Sequence, residues 1–111
     1  MTGSRNDMLI VTTEHVAGRD IAETLGLVRG ATVRAKHIGT DIVAGLRNLV
    51  GGEMKEYSSM LAGAREQALD RMIEDARERD ADAVVCVRME TSSIMNGASE
   101  IVAYGTAVRF A

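Results

Sequence analysis

The chain has 111 residues, 46% of them hydrophobic and 26% charged, with a formal net charge of −3. That is one ordinary globular domain with apolar mass for a single core. The composition excludes two partner classes. There is no Lys/Arg patch, and Tyr57, Tyr104 and Phe110 are the only aromatic residues, so nothing marks a nucleic-acid binder. The longest purely apolar run, Ala83 to Val87, is far short of the roughly 20 residues of a membrane span. No charged-then-apolar leader opens the sequence, which sets the expectation of a cytoplasmic protein. Cys86 is alone, which rules out an internal disulfide and any zinc site of several thiolates within one subunit. A core built from Val, Ile, Leu, Ala and seven Met packs small, and a small core favours burying further surface between subunits.

In chain order, residues 1–7 are polar and read as a flexible tail, and residues 8–111 as a single domain. Met8 to Val11 is a short apolar run, the expected first strand, and Gly18 to Asp20 makes a turn. From Ile21 to Ile38 residues alternate without proline, which predicts one long bent strand or a tight pair. Gly26 and Gly30 inside it mark bulges, a bend, or a place where another backbone comes close. Gly39-Thr40-Asp41 opens a short helix, capped by Thr40 or Asp41. Ile42, Leu46, Leu49 and Val50 give it an apolar face, and Gly51-Gly52 ends it.

Gly52 to Arg79 predicts one long amphipathic helix around which the other elements are arranged. Tyr57, Leu61, Ala64, Ala68, Leu69, Met72, Ile73 and Ala76 recur at steps of three and four. On its wet side Arg71 can pair with Glu74 or Asp75, and Asp75 with Arg79. Asp80 to Asp82 is the turn out. Ala83 to Met89 reads as a strand buried on both faces. Thr91 to Ser99 reads as a polar connection holding the Asn96-Gly97 hairpin signal, and Ile101 to Phe110 is the last strand. The sum is an α+β fold, an antiparallel sheet packed against one long helix plus a short one. Because Val84 to Val87 fill both faces of their strand, the sheet has apolar surface to spare, which argues for an oligomer.

The segment Gly39 to Tyr57, with Ala81 to Val85 and Glu100 to Ala107, closely resembles the YbjQ-like family, a heavy-metal-binding label attached to proteins of unknown function. Leu25 to Gly30 resembles the family's first long strand, and the likeness runs from about Met8 onward. It implies a dodecin-like subunit that forms a ring, a homopentamer. It also implies a distant relation to a small archaeal selenium-binding protein in which a single cysteine is tied to ligand binding. The family has no established catalytic residues to carry over, and it often has Gly or Asn where this chain has Cys86.

Cys86 is the leading candidate ligand. In a ring its thiol would recur around an axis and suit a soft metal ion or a selenium compound, the one cofactor class in view. The other reading is an inert core cysteine in a Val-rich strand. His37 at a strand end and Glu100 at the head of the last strand are further candidates. Neither has partners at metal spacing, and a hydrogen-bonded edge histidine and an ion-paired carboxylate are the alternatives. Glu90 is read in the same way, with Arg88 or Arg109 as the neutralising partner of either carboxylate. Asp41, Arg47, Gly51 and Gly52 form either an anion-binding helix corner or a purely structural one. Asp80 and Asp82 read as a solvated turn. No catalytic motif can be read, so no enzyme is expected. A homo-oligomeric module for a heavy-metal ion or small ligand is expected instead. An architectural or protein-interaction ring, partnered through Glu66, Asp70, Arg71, Glu74 and Arg77, is the alternative.

Overall fold

A computed structural model describes residues 8–35 and 52–111. The expected short helix, together with His37, Asp41, Arg47 and Gly51, lies outside the described residues. Among the described residues four strands form one sheet: β1 (Leu9–Ile10), β2 (Ile21–Ala35), β3 (Ala83–Met95) and β4 (Ala98–Phe110), in the order β1-β3-β4-β2. One helix, α1 (Gly52–Glu78), lies on one face of that sheet. The fold is α+β, as the periodicities predict. β4 is the central ladder, antiparallel to β2 from Ile21↔Phe110 to Ala35↔Ala98 and to β3 from Ala83↔Val108 to Met95↔Ala98. The sheet departs from the expected antiparallel pairing at β1, which pairs with β3 in parallel through Leu9↔Ala83 and Ile10↔Val84.

Ile21 to Ala35 is one strand rather than a pair, and both of its glycines have a backbone reason. Gly26 sits at a register shift with φ +111°, a conformation that L side chains rarely adopt. Gly30 lies directly beneath the helix: an added Cβ would stand 2.2 Å from the Ala68 carbonyl and 2.4 Å from the Met72 nitrogen. Ala64, Ala68, Met72, Ile73 and Ala76 are the buried stripe of α1, and they meet Val28, Val84, Val87, Ile101, Ala103 and Ala107. Alanines on the helix and glycine on the strand allow this close approach. Thr32, itself buried, donates its hydroxyl to the Ala64 carbonyl at 3.1 Å.

The helix ends in a Schellman arrangement. Ala81 N–H bonds the Ala76 carbonyl at 3.1 Å and Asp80 N–H bonds the Arg77 carbonyl at 3.0 Å, with Asp80 left-handed at φ 57°. The polar stretch from Thr91 belongs to the sheet: β3 continues to Met95 and β4 begins at Ala98, joined at Asn96-Gly97 with Gly97 at φ 78°. Thr91 to Met95 are exposed, so no apolar alternation signals them; the ladder to β4 holds them extended.

Val85 is buried inside the subunit, which removes much of the expected surplus. Ala83, Val85 and Val108 form a second cluster on the face away from the helix, joined by Val11, Val16, Ile21, Cys86 and Phe110. Arg19 stacks over the Phe110 ring, 4.1 Å from its centroid. Apolar exposure persists elsewhere: Leu27 and Val33 are 56% and 55% exposed, and Ile94 and Met95 stand exposed near the hairpin tip.

The two long edges of the sheet differ. Along β2, side chains one helical turn apart on α1 reach the strand. Arg79 donates to the Leu25 carbonyl at 3.3 Å and Arg71 to the Ala31 carbonyl at 2.6 Å. Asp75 accepts from Arg29 N–H at 3.2 Å, and Gln67 meets the Arg34 guanidinium. This row closes the β2 edge to strand pairing. The expected Asp75–Arg79 pair forms at 3.6 Å, whereas Arg71 turns to the strand carbonyl.

Candidate ligand sites around the β3 bulge

Cys86 occupies a β-bulge. The register of β3 against β4 shifts between Val85 and Arg88, and Cys86 adopts φ 55° in the left-handed region. A left-handed φ suits Gly or Asn and is costly for other residues, which gives a backbone reason for the Gly or Asn that the family resemblance implies here. The bulge is held from the side by the segment after β1: Cys86 N–H bonds the Thr13 carbonyl and Val87 N–H the Val11 carbonyl, both at 3.0 Å. The thiol is free and half-buried, beside the second apolar cluster. Nothing in the sequence signals this bulge, since cysteine is compatible with a strand.

Glu100 is half-buried on β4 between Val33 and Ser92. Val85, next to Cys86, pairs with Thr106, six residues further along β4. At about 3.3 Å per residue that puts Glu100 about 20 Å from the bulge, so one subunit does not bring the two together. Gly52 is the first residue of α1. Among the described residues no group of three or more His, Cys, Asp or Glu could hold a metal ion.

Glu90 is not neutralised by either expected arginine. Its Oε2 accepts the Tyr104 hydroxyl at 3.2 Å. Desolvation first, and then the Glu90 charge and hydrogen bond, raise the Tyr104 phenol above its ordinary value. Arg109 pairs with Glu23 at 3.0 Å and also donates to the carbonyls of Arg79 and Asp80. Arg88 donates to the carbonyls of Thr12 at 3.0 Å and Val87 at 2.9 Å. Asp82 accepts from Phe110 N–H at 2.8 Å and Asp80 forms the helix cap, so both act structurally.

Beside the bulge an apolar cleft of about 730 Å³ opens on the helix side. It is lined by Ile10 to Thr13, by Leu69 of α1, and by Val87, Arg88 and Met89 of β3. Sequence reading missed it, because it exists only where β1 stops and β3 continues.

Residues 8–111 match the model of the YbjQ family described as "Putative heavy-metal-binding". Relatives named UPF0145 protein include one from Methanosarcina acetivorans, 59% identical, covering 92% of this chain and 96% of its own. Another, from Archaeoglobus fulgidus, is 59% identical over 93% and 95% of the two chains. A solved protein of unknown function from Pediococcus pentosaceus, of the DUF74 family, has the same fold. It matches with a TM-score of 0.63 and 18% identity over 94% of this chain and 98% of that one.

Proposed function

The chain belongs to the YbjQ-like family, and on that premise we propose a homopentameric binding module that holds a soft heavy-metal ion through Cys86 thiolates of neighbouring copies. One observation carries the reading: the thiol stands free and half-buried in a fixed bulge. A single thiolate is a poor site for Cu(I) or Zn, and several around an axis make a good one. His37 and Glu100 are the remaining donors that a neighbouring copy could supply. The corner of Asp41, Arg47, Gly51 and Gly52 serves the ring as a structural junction or an anion site. The exposed Leu27, Val33, Ile94 and Met95 support assembly. The module is cytoplasmic in this reading, with neither nucleic acid nor membrane as partner. No helix among the described residues is long and apolar enough to cross a membrane.

Native mass spectrometry of untagged protein, with and without Cu(I), Zn or selenite, tests the proposal. It expects five chains plus bound ion, and the loss of that ion in Cys86→Ser. A bare pentamer that takes up nothing sinks the metal reading and leaves an architectural ring. The outer helix face then has little to offer a partner, since Glu74 pairs with Arg77, Arg71 bonds β2, and Glu66 and Asp70 already interact within the chain.

A further inference from the structure

We infer that the edge of β3 beyond Val87 receives the free C-terminal end of an extended peptide. A backbone edge is the first requirement. Val87 N–H points away from β4, toward Val11, so by alternation Met89, Thr91 and Ser93 also turn their N–H and C=O outward. The far side of β4 agrees: Arg29 N–H turns away from β4 to Asp75, so Tyr104, opposite Arg29, bonds instead to β3 at Arg88, and Glu90 and Ser92 follow by alternation. β1 ends at Ile10 and its extension makes its last bond to β3 from Thr13. Among the described residues no strand pairs with the edge after that point. The β2 edge, by contrast, is bonded by Arg71, Asp75 and Arg79 of the helix. The open edge is therefore where strand addition can occur.

The kind of peptide follows from what lies at the start of that edge. A strand added antiparallel to β3 runs from the Met95 end toward Arg88 and ends against the Thr12–Thr13 segment. The apolar cleft between Leu69, Val87 and Met89 lies there, ready for an apolar last side chain. The Arg88 guanidinium lies there too. The Thr12 and Val87 carbonyls hold its Nη1, and no carboxylate among the described residues forms an ion pair with it. A pre-positioned guanidinium with donors to spare complements a terminal carboxylate. Open main chain, apolar socket and fixed cation together specify a peptide with a free carboxyl end and an apolar final residue.

A library of fluorescent hexapeptides with free carboxyl ends, screened by anisotropy against the full chain, tests this inference. Binders should favour Val, Leu or Ile at the last position and lose about tenfold or more in affinity when amidated. Arg88→Gln should erase the difference between acid and amide. Thr91→Pro removes an outward N–H and should abolish binding with an unchanged circular dichroism spectrum. The absence of binders, or binders indifferent to both amidation and Arg88→Gln, overturns the inference. So does a Thr91→Pro variant whose assembled mass changes in native mass spectrometry while the parent chain binds no peptide, for then a second copy occupies the edge.

Discussion

Gly30 of β2 and Ala68 of α1 bring strand and helix backbones into direct contact, so close that a methyl group on Gly30 would stand 2.2 Å from the Ala68 carbonyl. The obstruction is backbone on both sides, and no rotamer change relieves it. Gly30→Ala should destabilise the fold by about 3 kcal/mol or more, or prevent folding, as urea titration would show. An unchanged midpoint would mean that the helix sits further from the sheet.

The bulge at Cys86 predicts an order of stabilities that an ordinary strand position would reverse. Cys86→Val places a β-branched residue at positive φ and should cost about 2 kcal/mol. Cys86→Gly should be near neutral, because relief of the left-handed backbone offsets the lost packing and added chain entropy. In a regular buried strand valine would be the better tolerated of the two.

Thr32 is nearly isosteric with valine, so its hydroxyl can be removed with little change of volume. Thr32→Val should lose about 1 kcal/mol, the net value of the buried bond to the Ala64 carbonyl. Chemical denaturation with an unchanged m-value would locate the effect in the native state.

The Tyr104 phenol is held above its ordinary value, so the folded chain keeps a proton that the unfolded chain releases. That contribution to stability is complete below about pH 10 and is lost as pH rises through the folded value. A phenolate absorbance titration should show one tyrosine ionising late. Glu90→Gln should bring it part of the way back, since desolvation, the larger cause, remains. A full return would make Glu90 the dominant cause.

The row on α1 predicts an aggregation phenotype. The triple variant Arg71→Ala, Asp75→Ala, Arg79→Ala bares the outward groups of β2. It should scatter light at concentrations where the parent chain stays clear, for about 1 kcal/mol or less of stability per substitution. Equal solubility of the two would show that the edge needs no cover.

Periodicity made the helix legible, and its apolar stripe is the one the sequence spaces out. Gly26 and Gly30 also announced their roles, because glycine inside a strand has few reasons to be there. Thr91 to Met95 were not legible as strand, because Thr91 to Ser93 are polar on both faces and Ile94 and Met95 follow one another without alternation; the ladder to β4 holds them extended. The bulge was hidden for the opposite reason: Val-Val-Cys-Val is strand-like at every position, and its irregularity comes from how Val11 and Thr13 bond its edge. Cys86 and Glu100 looked like ligands on residue type, and distance along β4 separates them within a subunit.

The row at positions 67, 71, 75 and 79 also changes what drift on the helix surface can do. Residues there answer first to the bond they make with β2, a donor at 71 and 79 and an acceptor at 75, with charge entering through the Asp75–Arg79 pair. Lysine should replace arginine at 71 at small cost, and asparagine aspartate at 75, whereas leucine fails at either. In descendants of this sequence, substitutions should therefore accumulate at Arg65 and Glu78 while every fourth residue stays able to reach the strand.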